Sequence, residues 1–367
     1  MLPKKMHLTV SVYRHPDEFP SAVLQFFAEA AMSNVESSVP WFRNLVNGVF
    51  ASHDGVRFFV LLDDCRPIAA LPIVENKTAW GNAVEALANY YTALYAPPLA
   101  NHINEQLMAH LIDAIKAAHA PVTSFRFAPM DPQSTGYRTL FASLKALGLV
   151  PFNFFSFGNW YHYVQEDWPA YLKSREGTVR STIKRMGKKF AASNGTLELI
   201  CGGADLERGL TAYQHVYALS WKQAEPFADF VPGLIRTCAG QGWLRLGVAW
   251  LNDQPIAAQI WIVSNGKANI YKLAYDENFK AYAPGTLLTA LLMAQAIDVD
   301  KVQEIDYLIG DDPYKAAWMS RRRERWGIIA YNPKTIGGLL GLGKEAASRL
   351  LKPMADRIKK RWRKPTS

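Results

Sequence analysis

Between Glu304 and Lys315 the chain reads EIDYLIGDDPYK, placing three aspartates, two tyrosines and a lysine where they can take, give or orient protons. Asp306 stands in an otherwise apolar strand end, where a carboxylate is costly unless it has a partner or a task. It is the first candidate for a base or a substrate-binding group, the alternative being a cap on the following loop. Asp311 and Asp312 follow Gly310 as further carboxylates, or as turn and capping residues. Tyr314 offers a phenol proton, and Lys315 an ammonium that would pair with Asp306 or Asp311 and orient it; the plain alternatives are a packed surface tyrosine and a solvated lysine. Gln259 and Lys272 alternate with apolar neighbours on their strands, which points them at a cleft or at water, and a substrate cleft is taken.

A second kind of chemistry lies upstream. Tyr282-Ala283-Pro284-Gly285-Thr286 runs directly into a long apolar helix-like segment. A helix N-terminus presents backbone N–H groups and the positive end of the dipole, and Gly285 carries no side chain to keep a phosphate away. Read alone, Pro-Gly is also an ordinary turn. Other chemistries lack their residues. No G-x-S-x-G elbow occurs, and the eight histidines show neither triad nor metal spacing; His162, in WYHYV, reads as a packed residue. Cys65, Cys201 and Cys238 are far apart, without metal-ligand spacing, and read as buried small hydrophobes.

The elements that position these residues come twice. PIAALPIV begins at Pro67 and PIAAQIWIV at Pro255, an offset of 188; YAPPLA and YAPGTL follow at an offset of 187; SFRFAPMDP and EIDYLIGDDP end at Pro132 and Pro313, an offset of 181. Each first anchor is preceded by a strand-like run and a turn signal, VRFFVLLDDCR and LRLGVAWLNDQ, as in a hairpin. Three anchors in one order indicate an internal duplication. Each copy reads strand, turn, strand, strand, helix, strand. The first copy has Pro98 where the second has Gly285, and proline gives no N–H, so the first copy should be a poor phosphate cradle.

From Pro255 to Trp318 the chain resembles the acetyltransferase domain of the CelD-type proteins named after cellulose biosynthesis, in the GNAT superfamily and similar to the tandem-GNAT FemAB/FemX transferases. The residues that carry the resemblance are Ala258 and Gln259; Lys272, Ala274, Tyr275 and Asp276; Pro284, Gly285 and Leu288; Asp306, Tyr307 in place of the usual Phe, Gly310 and Asp311; and Tyr314, Lys315 and Trp318. The resemblance implies an α/β (α+β) fold of tandem GNAT-like domains, each a mixed, largely antiparallel sheet flanked by helices. The expected domains are 1–155, degenerate for cofactor, 156–333, the acyltransferase, and a basic helical tail, 334–367. It also implies acetyl-CoA or another acyl-CoA as co-substrate, and no metal. Its pantetheine would lie along Tyr271, Leu273, Ala274 and Tyr275, and its pyrophosphate on Tyr282, Pro284, Gly285, Thr286 and Leu287. Asp306 or Asp311 would activate the acceptor, Tyr314 would protonate the leaving thiolate, Lys315 would orient a carboxylate, and Gln259 and Lys272 would hold the acceptor. That acceptor is expected to be an amine or hydroxyl on a sugar or exopolysaccharide precursor. The alternatives are a FemX-like aminoacyl-tRNA-dependent transferase and a non-catalytic partner of a polysaccharide synthase.

The formal net charge of +9 is local. Lys344 to Ser367 holds nine Lys or Arg against Glu345 and Asp356, and Lys173 to Lys189 holds seven against Glu176, leaving the remainder net acidic. That distribution argues against an extended nucleic-acid surface. The helix over 178–190 presents Arg180, Lys184 and Lys188 at a spacing of four, as a solvated face or toward an anionic partner. The tail SRLLKPMADRIKKRWRK reads as a charged, frayed end or as a weak contact with an anionic membrane surface. With no apolar run near the ~20 residues of a membrane span and no signal-like core, a cytoplasmic protein is expected, peripheral at the inner membrane face if the tail binds there.

Overall fold

The computed structural model describes residues 6–52 and 54–362, with side chains up to residue 351. The expected membrane contact of the C-terminal tail therefore falls largely outside the described residues.

In chain order the elements are β1 (Leu8–Tyr13), α1 (Ser21–Ala31), α2 (Val39–Val49), β2 (Val56–Asp63), β3 (Arg66–Thr78), β4 (Gly81–Ala86), α3 (Glu105–Ala118), β5 (Val122–Met130), α4 (Thr135–Ala146) and β6 (Val150–Tyr163). There follow α5 (Trp168–Ser174), α6 (Gly177–Ala192), β7 (Gly195–Ile200), α7 (Leu206–Leu219), α8 (Phe230–Gly240), β8 (Leu244–Leu251), β9 (Gln254–Ser264), β10 (Lys267–Tyr275), α9 (Pro284–Ala294), β11 (Glu304–Asp306), α10 (Pro313–Ala316), β12 (Arg321–Tyr331) and α11 (Ile336–Trp362). The duplication is explicit in this order: β1-α1-α2-β2-β3-β4-α3-β5 answers β7-α7-α8-β8-β9-β10-α9-β11.

Both hairpins turn on two residues with positive φ, Asp64 (47°) and Cys65 (66°) between β2 and β3, and Asn252 (48°) and Asp253 (61°) between β8 and β9. Left-handed backbone at both central positions matches the twist of the flanking strands, and three of the four residues there are Asx, which tolerate it, the fourth being Cys65. The repeated Pro-Ile-Ala-Ala is the start of a strand buried on both faces; Ala69, Ala70, Ala257 and Ala258 are fully covered. Cys238 is the buried hydrophobe expected of it. Cys65, by contrast, is exposed on its turn, and Cys201 is exposed beyond the end of β7.

The chain forms two compact units. One comprises residues 6–30, 54–156 and 325–362. Its strands run β1-β2-β3-β4-β5-β12, antiparallel except for β4 against β5. Its core gathers Phe59, Leu71, Leu111, Phe125, Phe127 and Ile328. The other comprises residues 31–52 and 157–324. Its strands run β6-β11-β10-β9-β8-β7, antiparallel except for β10 against β11, over cores that include Trp261, Leu292, Met293 and Ile305, and Phe190, Ile256, Leu287 and Leu288. The boundaries fall inside β6, after Ser156, and inside β12, after Glu324.

Candidate active site

The site is in the second unit, where a strand and a helix start come together. β9 and β10 pair antiparallel down to Ala257 and Tyr275, with a register shift between Ile270 and Lys272 that leaves Tyr271 in a bulge. On its other edge β10 pairs in parallel with β11 only from Lys267–Glu304 to Asn269–Asp306, and then runs on to Tyr275. Tyr271, Leu273, Ala274 and Tyr275 all lie on that continued stretch. It is buttressed by Trp41 of α2, whose ring sits 6.0 Å from that of Tyr271, and by Trp221, 4.7 Å from Tyr275.

Helix α9 starts beside it. Its N-cap, Ala283, has φ 50° and ψ 46° and no side chain that can cap. A left-handed conformation costs a non-glycine residue about 1–2 kcal/mol, and such an outlier points to a function rather than to stability. Pro284 has no N–H, and the N–H groups of Thr286 and Leu287 both reach Ala283 O, at 3.0 and 3.2 Å. Gly285 lies inside the first turn, where an added Cβ would meet only Tyr275 Cδ1, at 3.6 Å. The protein's own packing therefore does not require a glycine there. The first copy is built differently. Pro98 and Ala100 are laid against β3, with Ala70 N donating to Pro98 O (2.9 Å) and Ala100 N to Ile68 O (2.8 Å). The helix of that copy begins only at Glu105, capped by Asn104, whose Oδ1 accepts from Leu107 N at 3.0 Å. One start is closed by its own side chain, the other is not.

Gln259 has a definite place. It is 1% exposed, its Nε2 donates to Gly285 O (2.8 Å) and Thr289 Oγ1 (2.9 Å), and its Oε1 accepts from Trp261 Nε1 (3.0 Å). The amide is spent on fixing the first turn of α9 to β9. Lys272 pairs with Glu225 at 2.8 Å, largely covered by the segment that joins α7 to α8.

Asp306 is 1% exposed, at the point where β10 and β11 part. Its carboxylate takes Lys267 at 2.9 Å, Arg323, Asn159 Nδ2, and Leu308 N at 2.7 Å. Burial alone would raise its pKa; Lys267, Arg323 and the Asn159 hydrogen bond outweigh that and hold the carboxyl well below the usual carboxylate range. So stabilised an anion is a weak proton acceptor at neutral pH, and the geometry gives it an anchoring role instead of that of a base. Asp311 is likewise engaged. Arg322 grips it, with Nη2 at 2.7 Å, Trp160 Nε1 donates at 2.7 Å, and the Arg322 hydrogen bonds lower its pKa. Lys315, 4% exposed, does not touch Asp306 or Asp311. It donates to the carbonyls of Ile309 and Gly310 and pairs with Asp312 at 3.3 Å, so it pins the loop after β11. Tyr314 is 46% exposed on the same loop, its ring edge-on to Tyr307 at 5.8 Å; burial and then Asp312 push its pKa above the ordinary tyrosine value, so the phenol keeps its proton.

Several residues at the site have no clear mark in the sequence. Asn159, Lys267, Glu304 and Arg323 form the setting of Asp306. Lys189 of α6 donates to Ala281 O at 3.2 Å and lies 4.7 Å over the Tyr282 ring, beside the start of α9. Trp221, Lys222 and Glu225 come from the segment between α7 and α8. The run RRRER at 321–325 was the available signal, and it does not show from sequence which carboxylate each arginine meets. Among the described residues no group of three or more His, Cys, Asp or Glu could hold a metal ion, and no helix is long and apolar enough to cross a membrane.

Residues 177–316 match the family described as acetyltransferase (GNAT) domain. Comparison with curated proteins gives no match. Among solved structures, the chain is similar to FemX (11% identity, 75% of this chain and 87% of that one, TM-score 0.56). It is also similar to the C-terminal domain of a putative lysylphosphatidylglycerol synthetase from Agrobacterium fabrum (13%, 89% and 98%, TM-score 0.54). A third is a tandem GNAT protein from the clavulanic acid biosynthesis pathway (16%, 89% and 100%, TM-score 0.50). At such identities the likeness is one of fold. The chain thus has a tandem GNAT-like α/β fold, and its residues 177–316 match an acetyltransferase (GNAT) domain, which supports an acyltransferase enzyme.

Proposed function

We propose that the protein transfers an acyl group, most simply acetyl, from acyl-CoA directly to an amine or hydroxyl of a sugar, an exopolysaccharide precursor or another small acceptor. The observation that carries this reading is the uncapped start of α9, with Gly285 in its first turn, beside a β10 that outruns its pairing with β11. The residues present fit the group. Gly285 leaves open a space that the protein does not need, Ala283 supplies no cap of its own, and Lys189 brings a cation beside the loop. The stretch Tyr271–Tyr275 would hold the pantetheine, and Tyr282, Pro284, Gly285, Thr286 and Leu287 the pyrophosphate.

Bound there, acyl-CoA would supply the acyl group as an activated thioester. The protein's part is to orient and to move protons. Gln259 fixes the start of α9 against β9, and Asp306, ionised, holds the parting strands through Lys267 and Arg323. Tyr314, protonated and partly exposed, would give a proton to the leaving thiolate. The sugar-type acceptor rests on the resemblance to CelD-type domains. The direct experiment is to follow release of the coenzyme A thiol from acetyl-CoA with amine and hydroxyl acceptors. Acceptor-dependent release supports the reading, and failure to bind any acyl-CoA removes it.

Gly285→Ala separates stability from binding. Helical backbone accepts alanine there and the space accepts a Cβ, so the ligand-free protein should gain about 0.5–1 kcal/mol. Acetyl-CoA affinity should fall, because the methyl group occupies the ligand's side of the turn. Denaturation and calorimetric titration of the same preparation check both.

A second reading, an aminoacyl-tRNA-dependent transferase, is favoured by one observation. Arg180, Lys184, Arg185 and Lys188 of α6 are exposed and make no ion pair among the described residues. Tight, salt-sensitive binding of tRNA without binding of acyl-CoA would select it.

A further inference from the structure

The segment between α7 and α8 crosses the far end of β10 and brings with it a cation that has no ion-pair partner among the described residues. The Trp221 ring lies 4.7 Å from that of Tyr275, tilted by 51°, and Glu225 is tied to Lys272 at 2.8 Å, so the continued β10 stretch holds this segment at two points. Between these ties is Lys222. Its ammonium makes no ion pair or hydrogen bond among the described residues; its companions are the rings of Tyr217 and Trp221, at 5.8 and 5.9 Å. The side chain is half-buried, and within its electrostatic reach are Lys272, Glu225, Lys315 and Asp312. Glu225 is spent on Lys272 and Asp312 on Lys315. Neither carboxylate forms an ion pair with Lys222.

We propose that this is where the acceptor is held, and that the acceptor presents an anionic group, a carboxylate or a phosphate, to Lys222. The inference rests on the acyltransferase reading above for what the neighbouring β10 stretch does. A partly buried ammonium without a counter-charge is unfavourable, and a site that keeps one gains when a ligand brings the missing charge. The flanking Trp221, 49% exposed, offers a flat apolar surface beside that charge, suited to the body of a small polar molecule. The amine or hydroxyl of such a molecule would then lie on the side of Tyr314.

Burial, followed by the repulsion of Lys272, lowers the Lys222 pKa to about 8. The anion needs the protonated form, so binding should be full below that pH and weaken as pH rises through it. The other charged groups that face it are Glu225, Lys272, Asp312 and Lys315, and burial lowers the Lys315 pKa as well.

The test is calorimetric titration of the full chain with inorganic phosphate and with acetate, with acetyl-CoA already added, for wild type, Lys222→Met and Lys222→Arg. Acetyl-CoA is titrated separately into each protein. The expected result is that wild type binds one of the two anions, Lys222→Met binds it at least tenfold more weakly, Lys222→Arg retains it, and acetyl-CoA affinity is the same in all three. Preference for phosphate or for acetate assigns the class of acceptor. Wild type ignoring both anions, or Lys222→Met binding them as wild type does, overturns the proposal. A wild type that takes no acetyl-CoA but still binds the anion through Lys222 overturns the acyl-CoA reading alone.

Discussion

Asp306→Ala is expected to lower the stability of the second unit by about 3–5 kcal/mol, the usual effect of removing one partner from a buried ion cluster. The carboxylate is 1% exposed and answers both Lys267 and Arg323; without it those two cations share only Glu304. Asn159 Nδ2 and Leu308 N also lose their acceptor, although Asn159 keeps the Leu308 carbonyl at 2.9 Å. Calorimetric or denaturant unfolding measures the loss. Because the native pKa is depressed, the group's contribution is fully present above the unfolded value of about 4 and disappears as pH falls below it toward the native one. The difference between wild type and Asp306→Asn should therefore be constant across neutral pH and shrink only in strong acid. A general base would behave otherwise, leaving stability unchanged in the Asn variant while abolishing turnover.

The second large effect is expected at Gln259. Replacing it by Ala removes the acceptor of Trp261 Nε1, a buried donor, and one of two side chains that satisfy Gly285 O; Thr289 Oγ1 remains on that carbonyl at 2.9 Å. The orphaned indole and the cavity together should cost about 3 kcal/mol. Acetyl-CoA affinity should drop with it, since the first turn of α9 is no longer fixed to β9, while the KM for acceptor measured at saturating acetyl-CoA should stay within a factor of about two. A residue that contacts the acceptor gives the opposite pattern: acceptor KM raised, stability and acyl-CoA affinity kept.

The duplication was legible because its signals are local. Two-residue Asx turns and a Pro-Ile-Ala-Ala strand start recur in one order, and both copies adopt the hairpins they announce. The start of α9 was legible for the same reason, as Pro284-Gly285 is a contiguous signal. In the first copy the helix-like run NEQLMAHLIDAIKAAH was legible in the same way, and α3 spans Glu105–Ala118 within it; that the preceding YAPPLA lies against β3 was not. Around Asp306 a costly carboxylate could be flagged from its apolar neighbours, but its partners are far away in sequence. Parallel pairing of β10 with β11 sets Lys267 beside Glu304, and β6 brings Asn159 across. Alternation on a strand said that Gln259 and Lys272 share a period without saying which face is covered, and both are covered, one by α9 and one by the segment carrying Glu225. Lys222 left no trace, because a charge is unmatched only in relation to neighbours that the fold assembles.

The central claim, that an acyl-CoA is held by the start of α9, is most directly tested by titrating acetyl-CoA into wild type and Gly285→Pro, each first shown to unfold at the same temperature. The substitution falls in the first helical turn, where no intrahelical N–H bond is lost, and it fills the space over Tyr275 with a ring. Wild type should bind, and the variant should lose at least a hundredfold in affinity. Equal affinity in two equally stable proteins would contradict it, and would move the cofactor away from this helix.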